Sequence, residues 1–168
     1  MPLTTYYLEM QAPPSYVADQ TSHQAQANRF LLQECVRPQF EFNRFLYQLV
    51  GKAFDWTERL VWSDEQWQAL VSNPNLRTWI AYVEGAIAGY FELRRVENDV
   101  EILYFGLSGD FIGQGLGRIL LETAVRQAWQ WQGAQRVWVH TCNYDHPSAL
   151  KNYQQRGFQL YDTTVEED

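Results

Sequence analysis

The chain has 168 residues, a length that suits one folded domain with a buried core. Its 20 acidic and 13 basic residues give a net charge of −7, which argues against a nucleic-acid surface and favours a cationic or neutral partner. The two cysteines, Cys35 and Cys142, are too few for a disulfide framework and are expected to be reduced thiols.

The sequence pattern also lacks signals for membrane insertion or secretion. No apolar run approaches the length of a membrane span, and residues 1–5 lack the basic and apolar regions of a signal peptide. We therefore expect a cytoplasmic protein with no membrane partner.

The first half of the chain predicts two strands followed by two helices. Strands are expected at residues 4–9 and 30–35, with a proline-containing loop at 11–22 between them. Apolar residues then recur at helical spacing in the set Phe42, Phe45, Leu46, Leu49 and Val50, closed by Gly51. A second helix is predicted to begin at Ser63, because Gln66 three residues later completes a capping box.

The second half predicts a three-strand meander and then alternating helices and strands. Strands are expected at 78–83, 86–93, 100–107, 136–141 and 158–161, and helices at 116–131 and 147–155. The resulting order, β, β, α, α, β, β, β, α, β, α, β, predicts a mixed α/β layer structure in which the crossover helix joins parallel strands. The tail at 166–168 is expected to be disordered.

A glycine-rich turn at residues 112–118, Ile-Gly-Gln-Gly-Leu-Gly-Arg, lies between a strand and an amphipathic helix. Glycines let the backbone curl around an anion, and the N–H groups that open the helix point at it. A Walker loop would need Lys and then Ser or Thr after its last glycine, but Arg118 and Ile119 follow Gly117. The dinucleotide fingerprint Gly-x-Gly-x-x-Gly does not occur here either. The turn is therefore a phosphate cradle of another kind or an ordinary turn.

Two segments resemble the GNAT superfamily of acyl-coenzyme A dependent N-acetyltransferases. The turn at 112–117 resembles the family's loop of Gln or Arg, two variable residues, Gly, one variable residue, and Gly or Ala, with Gly115 and Gly117 at the glycine positions. The segment 145–158 resembles a later family motif that contains Asn-x-x-Ala, a tyrosine and Gly-Phe. The likeness covers residues 76–161.

The resemblance implies an α/β (α+β mixed sheet) fold of three layers, with a central, mostly antiparallel sheet in which strands 4 and 5 are parallel and splayed. It implies a single domain over residues 1–168, with acceptor-side helices at 39–72 and an acetyl-CoA-binding core at 76–161. The implied reaction is direct attack of a primary amine, on a small molecule or peptide, on acetyl-CoA. The alternative is a non-catalytic acyl-CoA binding or sensing module.

Coenzyme binding is expected at the loop, whose backbone N–H groups would hold the pyrophosphate while Arg118 adds charge. The residues expected to bind the coenzyme are Leu107, Ile112, Gly113, Gln114, Gly115, Leu116, Gly117, Arg118, Asn143 and His146. Ile112 stands where the family has Gln or Arg, so only its backbone N–H remains available. His146 stands where the family often has Asn, which leaves Asn143 as the alternative for that contact. Gly106 predicts a bulge that frees backbone groups at the end of its strand.

The resemblance implies two catalytic residues. Tyr153 would protonate the departing thiolate, and Glu101 would accept the amine proton directly or through water. The alternatives are a Tyr153 ring that only packs on Phe158, and a Glu101 carboxylate at a solvated strand edge.

Acceptor binding is assigned to the connection between the first two helices and to the strand beside it. Trp56 and Glu58 suit a small cationic amine through cation–π and ionic contacts, whereas Trp62 and Trp67 could equally pack in the core. Tyr104 is a further polar candidate, and it is predicted to point to the opposite strand face from Glu101.

His140, Cys142 and His146, at a strand end and in the loop after it, could be metal ligands. No fourth ligand or second cluster is evident, so no metal is expected. A Cys-His nucleophile is disfavoured as well, since nothing marks an oxyanion loop beside Cys142. The expected partner is an amine acceptor, with homodimer formation left open.

Overall fold

A computed structural model describes residues 2–167, and within them the chain forms seven strands and five helices. The strands are β1 (Leu3–Met10), β2 (Leu31–Glu34), β3 (Leu76–Val83), β4 (Ala86–Val96), β5 (Asp99–Leu107), β6 (Arg136–Cys142) and β7 (Gln159–Glu166). The helices are α1 (Gln20–Arg29), α2 (Phe40–Gly51), α3 (Asp64–Ser72), α4 (Leu116–Gln130) and α5 (Ala149–Gln155). The predicted capping box opens α3, since Ser63 and Gln66 exchange side-chain to backbone hydrogen bonds.

The strands form one sheet in the order β2-β3-β4-β5-β6-β1-β7. Every neighbouring pair is antiparallel except β5 and β6, which pair in parallel from Asp99 to Ile102 of β5. Both strands continue past this ladder, and in the described chain no further pairing joins them. The predicted sheet, mostly antiparallel with one splayed parallel pair, is confirmed.

Alternating side chains of the sheet bury two apolar cores, one on each face. On one face Trp79 and Phe91 pack with the apolar side of α4. On the other, the neighbouring residues Ile80 and Tyr90 pack with α2 through Val50 and Leu46. The period of two along β3 and β4 thus gives a sheet covered by helices on both faces, which is the expected three-layer arrangement.

Helix α1 was not predicted from the sequence. The proline-containing loop expected at 11–22 ends at Asp19, whose side chain accepts a hydrogen bond from the Thr21 N–H at 2.9 Å and caps α1. No residue of α1 is buried, so the helix lacks the apolar periodicity on which prediction depends. A polar contact links it to α4, where Arg126 donates to the Ser22 hydroxyl at 2.6 Å.

Strand β7 extends well beyond the predicted residues 158–161. All eight of its residues are exposed, so it pairs with β1 through its backbone and carries no apolar alternation. Glu166, expected to be in a disordered tail, pairs with Leu3 at the end of this strand. The last residue of that tail, Asp168, lies outside the described residues.

Candidate active site

The splay of β5 and β6 opens a cleft of about 1350 Å³. Its walls come from the α2–α3 connection, from β5 and β6, from the glycine turn before α4, and from α5 with the loop before it. Twelve of the predicted site residues line it: Trp56, Glu58, Glu101, Tyr104, Leu107, Ile112, Gly113, Gly115, Gly117, Arg118, His146 and Tyr153. The fold thus brings the predicted donor, catalytic and acceptor residues to one cavity.

A β-bulge at Leu103 shapes the middle of the cleft. In the register of β4 and β5, Glu101 lies opposite Arg94 and Tyr104 lies opposite Glu92, so Leu103 is the extra residue of β5. Because Arg94 and Glu92 are two residues apart and share a face, Glu101 and Tyr104 also share a face. The expectation that these two side chains point to opposite faces was wrong, since simple alternation does not hold across a bulge.

The bulge expected at Gly106 does not occur, because Gly106 pairs in register with Tyr90. Its role is close packing: a Cβ at this position would lie 2.7 Å from Cγ1 of Val50. Glycine therefore lets α2 approach β5 at the cleft wall.

The glycine turn has the backbone that an anion cradle requires. Gly113 and Gly115 have φ angles of 85° and 78°, and no atom lies within 4 Å of a Cβ built at either position. Helix α4 begins directly after Gly115, so its first N–H groups lack intrahelical partners and face the turn. Gln114 and Leu116 contribute no side chain to the cleft, and Leu116 is buried in the core.

Three side chains hold the turn in place. The side-chain amide of Gln114 donates to the backbone carbonyl of Asp110 at 3.1 Å. The backbone carbonyl of Gln114 accepts a hydrogen bond of 2.7 Å from Arg29 at the end of α1. Asn152 of α5 donates to the Gly117 carbonyl at 3.4 Å. Arg29 was missed by sequence reasoning because the helix that carries it was missed.

Tyr153 lies on α5 at the wall of the cleft, with its ring buried. The ring packs edge-on against Phe158, with centroids 5.7 Å apart, and also lies near Phe105. Burial, with a smaller contribution from the negative charge of Asp145, raises the pKa of Tyr153 well above its ordinary value. The Tyr153 side chain therefore packs on Phe158 and lines the cleft at the same time.

Glu101 is only 3% exposed and has two cationic or polar neighbours. Arg94 donates to Oε1 at 2.7 Å, while Nε2 of His140 lies 3.7 Å from Oε2. The His140 side chain is 45% exposed and lines the cleft. Glu101 is thus a buried carboxylate behind His140, and the solvated strand-edge position weighed for it does not apply.

Asn143 and His146, the two candidates for one coenzyme contact, lie in different environments. Asn143 does not line the cleft: its side chain accepts from the Thr4 N–H at 2.9 Å and donates to the Pro2 carbonyl at 3.0 Å. His146 lines the cleft, and its ring lies 6.2 Å from that of Phe54 on the acceptor side. The geometry therefore favours His146 over Asn143 as a cleft residue.

The aromatic cluster in the α2–α3 connection already holds a cation of the chain itself. The guanidinium of Arg59 lies 4.3 Å from the Tyr104 ring centroid, and Trp62, Trp67 and Tyr47 surround it within 5.8 Å. Burial is the largest single influence and would lower the pKa of Arg59, but the charge and hydrogen bonds of Glu92, together with Tyr104 and Tyr90, raise that pKa on balance. Neither residue was singled out from the sequence, because nothing in a linear pattern pairs a loop arginine with a mid-strand glutamate.

Trp56 and Glu58 lie at the cleft side of this cluster. Trp56 packs against Tyr104 with ring centroids 4.8 Å apart, and the exposed Glu58 carboxylate lies 3.5 Å from the Tyr104 hydroxyl. Five acidic side chains line the cleft, namely Asp55, Glu58, Glu101, Asp145 and Glu166. Glu101 is ion-paired with Arg94, and Arg59 is ion-paired with Glu92, so the remaining four acids leave a negative charge in the cleft that attracts cations.

The end of β6 and the loop after it carry the residues considered for metal ligation and thiol chemistry, His140, Cys142 and His146. Within residues 2–167, no three His, Cys, Asp or Glu side chains are grouped as metal ligands. Burial raises the pKa of the Cys142 thiol, which disfavours a thiolate nucleophile.

Within residues 2–167, no helix is long and apolar enough to cross a bilayer. The cytoplasmic location stays a prediction.

The first strand of the splayed parallel pair, β5, leads through the glycine turn into α4, and α4 leads to the second strand, β6. The family model described as Acetyltransferase (GNAT) family matches residues 39–158, and the chain belongs to that family. Among curated proteins, no match to the sequence is found.

Solved structures share this fold at low sequence identity. An aminoglycoside acetyltransferase from an uncultured soil metagenomic sample, in complex with trehalose, has a TM-score of 0.67 and 20% identity, covering 84% of this chain and 95% of that one. Its complex with sisomicin gives a TM-score of 0.67 at 19% identity, covering 84% and 96%. An IAA acetyltransferase from Bacillus cereus has a TM-score of 0.60 and 23% identity, covering 79% of each chain.

Proposed function

We propose that the protein is an N-acetyltransferase that transfers the acetyl group of acetyl-CoA to a primary amine, with residues 1–168 acting as a single domain. The observation that carries this proposal is that the glycine turn, Tyr153 and Glu101 all line one cleft. An anion site and a proton-transfer pair in one cavity suit a donor that carries a pyrophosphate and a thioester.

The donor end of the cleft suits the coenzyme's phosphates. Backbone N–H groups from Gly113 to Gly117 hold the pyrophosphate, whereas the Ile112 N–H already donates to the Gly109 carbonyl at 3.4 Å. The exposed Arg118 side chain adds a charge-assisted contact. Leu107 and His146 line the path from the phosphates to the reacting thioester. No metal is needed in this scheme.

Tyr153 and Glu101 divide the proton transfers. The amine nitrogen forms a bond to the thioester carbonyl carbon, and its proton leaves through His140 to Glu101, whose Oε2 lies 3.7 Å from the His140 ring nitrogen. As the C–S bond breaks, Tyr153 gives its proton to the departing sulfur. The Tyr153 hydroxyl is protonated at neutral pH, and burial, which raises its pKa, keeps the proton on it until the thiolate forms.

The acceptor end suits an amine that carries positive charge. Glu58, Tyr104 and Trp56 line the cleft, and Asp55 and Glu58 add negative charge beside Trp56, whereas Arg59 and Arg94 are each ion-paired with a glutamate. The solved structures named above include an acetyltransferase for aminoglycosides, which are small cationic amines. We propose a small-molecule or peptide amine as acceptor.

A non-catalytic acyl-CoA binding or sensing module is the second candidate, favoured by the ion pair that partly neutralises Glu101. Two measurements separate these functions. Coenzyme A raises the melting temperature in both, but only the enzyme releases free thiol from acetyl-CoA when primary amines are added. If coenzyme A leaves the melting temperature unchanged, both proposals fail.

A further inference from the structure

The sheet face that α2 covers is open on its other half. There, side chains of β6, β1 and β7 form a row of half-exposed rings: Trp138, His140, Tyr7 and Tyr161, here called the aromatic shelf. Centroids of successive rings are close, at 6.2 Å for Trp138 and His140, 5.9 Å for His140 and Tyr7, and 6.3 Å for Tyr7 and Tyr161. This row is longer than the acetyl-transfer chemistry requires.

Two features of strand pairing put these rings on one face. Tyr7 is the cross-strand partner of His140, so their side chains point the same way. Tyr161 is the extra residue of a bulge, since Tyr7 pairs with Asp162 and Leu8 pairs with Leu160. The bulge turns the Tyr161 ring toward Tyr7 and extends the shelf to the edge of the sheet.

The aromatic shelf is continuous with the acceptor end of the cleft. His140 and Tyr7 line the cleft, whereas Tyr161 lies beyond its rim and is 46% exposed. A molecule whose amine reaches His140 can therefore lay further groups along Tyr7 and Tyr161. We infer that the aromatic shelf binds the distal rings of a polycationic amino sugar whose reacting amine lies in the cleft, an inference that rests on the proposed acetyltransferase function.

The charges around the shelf suit a cation. Asp162 shares its face as the partner of Tyr7, and Glu166 lines the adjoining cleft. The guanidinium of Arg136 lies 5.2 Å from the Tyr161 ring centroid and 5.7 Å from that of Trp138, so these two rings already contact a cation of the chain. Arg136 is ion-paired with Glu9 and Asp99, so its own charge is compensated. A bound ammonium group thus meets uncompensated acids and aromatic rings.

The ring chemistry favours an amino sugar over an extended peptide. A saturated ring offers an apolar C–H face to an aromatic ring, while its ammonium and hydroxyl groups remain at the rim in water. The aromatic shelf lies on the face of the sheet. A peptide strand added beside β7 would instead form hydrogen bonds with the backbone at the edge of the sheet and would not contact the Tyr7 ring. Linked saturated rings match a row of aromatic rings that runs across strands.

The test is isothermal titration of the coenzyme A complex with sisomicin, which has three rings, and with glucosamine, which has one. Tyr161→Ala should weaken sisomicin binding about three- to tenfold and glucosamine binding less. Tyr161→Phe should retain sisomicin affinity because the ring remains. Phe45→Ala, which removes an exposed ring on α2, is the matched control and should bind both sugars like the wild type.

The outcomes distinguish ligand binding at the aromatic shelf from acetyl transfer in the cleft. If sisomicin binds with the expected dependence on Tyr161 but no thiol is released from acetyl-CoA, the shelf stands and the proposed enzyme activity fails. The shelf is overturned if wild-type protein does not bind sisomicin, if Tyr161→Ala binds it with unchanged affinity, or if Tyr161→Phe loses as much affinity as Tyr161→Ala. Loss of binding to a lysine-rich peptide or of self-association in Tyr161→Ala, with sisomicin affinity unchanged, likewise overturns it.

Discussion

Both carboxylate oxygens of Glu92 accept hydrogen bonds from Nη1 of Arg59, at 3.0 and 2.9 Å. Glu92 is fully buried and Arg59 is 4% exposed, so the pair lies beneath the acceptor end of the cleft, out of water. Asn43 donates to the same carboxylate at 3.2 Å. This pair fixes the position of the α2–α3 connection, which carries Trp56 and Glu58.

Glu92→Gln should destabilise the protein by about 3 kcal/mol, because it leaves the buried Arg59 charge without its partner. Urea denaturation measures the free energy of unfolding. Glu34→Gln breaks a comparable bidentate pair with Arg77 that is half-buried, and it should cost less than about 1 kcal/mol. Equal losses in the two variants would contradict the role assigned to the buried pair.

Tyr153→Phe should lower kcat about a hundredfold and leave the affinity for coenzyme A nearly unchanged, because only the proton donor is removed. Steady-state kinetics and titration with coenzyme A measure the two quantities. Tyr16→Phe is the control, since it removes a hydroxyl that bonds to the Arg156 carbonyl at 2.6 Å, outside the cleft. If kcat is the same in Tyr153→Phe as in the wild type, Tyr153 has no part in the reaction.

Gly115→Ala should weaken coenzyme A binding about tenfold, because a side chain at positive φ strains the turn whose N–H groups hold the phosphates. Gly85→Ala carries a matched strain, with φ of 84° and no atom within 4 Å of the new Cβ, in a hairpin turn. Both variants should lose about 1 kcal/mol of stability, but only Gly115→Ala should lose affinity. Equal coenzyme affinity in the two proteins would remove the turn from the site.

Arg29→Gln should weaken coenzyme A binding about threefold, because it removes the charged donor that holds the Gln114 carbonyl at 2.7 Å. Titration with coenzyme A at low salt measures the effect. Arg37→Gln makes the same change of charge at an exposed position outside the cleft and should bind normally. A similar loss of coenzyme A affinity in both variants would indicate a general effect of charge and would contradict the role of Arg29 in holding the turn.

Four buried or half-buried tyrosines predict a loss of stability at alkaline pH. Burial raises the pKa of Tyr16, Tyr90, Tyr104 and Tyr153 above the ordinary value of 10.0. Below pH 10 both states are protonated and this stability is fully present. Above it the unfolded chain loses protons first, so stability falls as pH rises toward the folded-state pKa, by about 1.4 kcal/mol per pH unit for each group.

Urea denaturation at pH 8 and pH 11 tests this prediction, with Tyr90→Phe as the diagnostic variant. The Tyr90 hydroxyl is buried and, among residues 2–167, has no hydrogen-bond partner, so its removal should cost little at pH 8. At pH 11 the variant should lose less stability than the wild type. Parallel losses in the two proteins would contradict the assignment to Tyr90.

The elements with strong patterns could be predicted from the sequence, and those without a buried face could not. The apolar spacing of α2 and the capping box of α3 identify both helices, whereas α1 and β7 bury no face and left no periodicity to detect. The glycine turn could also be predicted from the sequence, because a backbone with positive φ favours glycine. The bulge at Leu103 leaves no mark in the sequence, and it decides that Glu101 and Tyr104 share a face.

The acceptor end shows a second limit of sequence reasoning. The sequence predicts that the aromatic residues near Trp56 bind a cationic amine, but the inner rings surround Arg59. A buried ion pair such as Arg59 and Glu92 joins residues far apart in the chain, so composition alone cannot reveal that an aromatic cluster is occupied.

The most direct test of the proposed function is free thiol release from acetyl-CoA by the wild-type protein with a panel of primary amines, together with mass measurement of the amine product. The account predicts one thiol released for each acetylated amine, and a rate reduced about a hundredfold in Tyr153→Phe. A protein that is stabilised by coenzyme A but releases no thiol above background with any amine would contradict it.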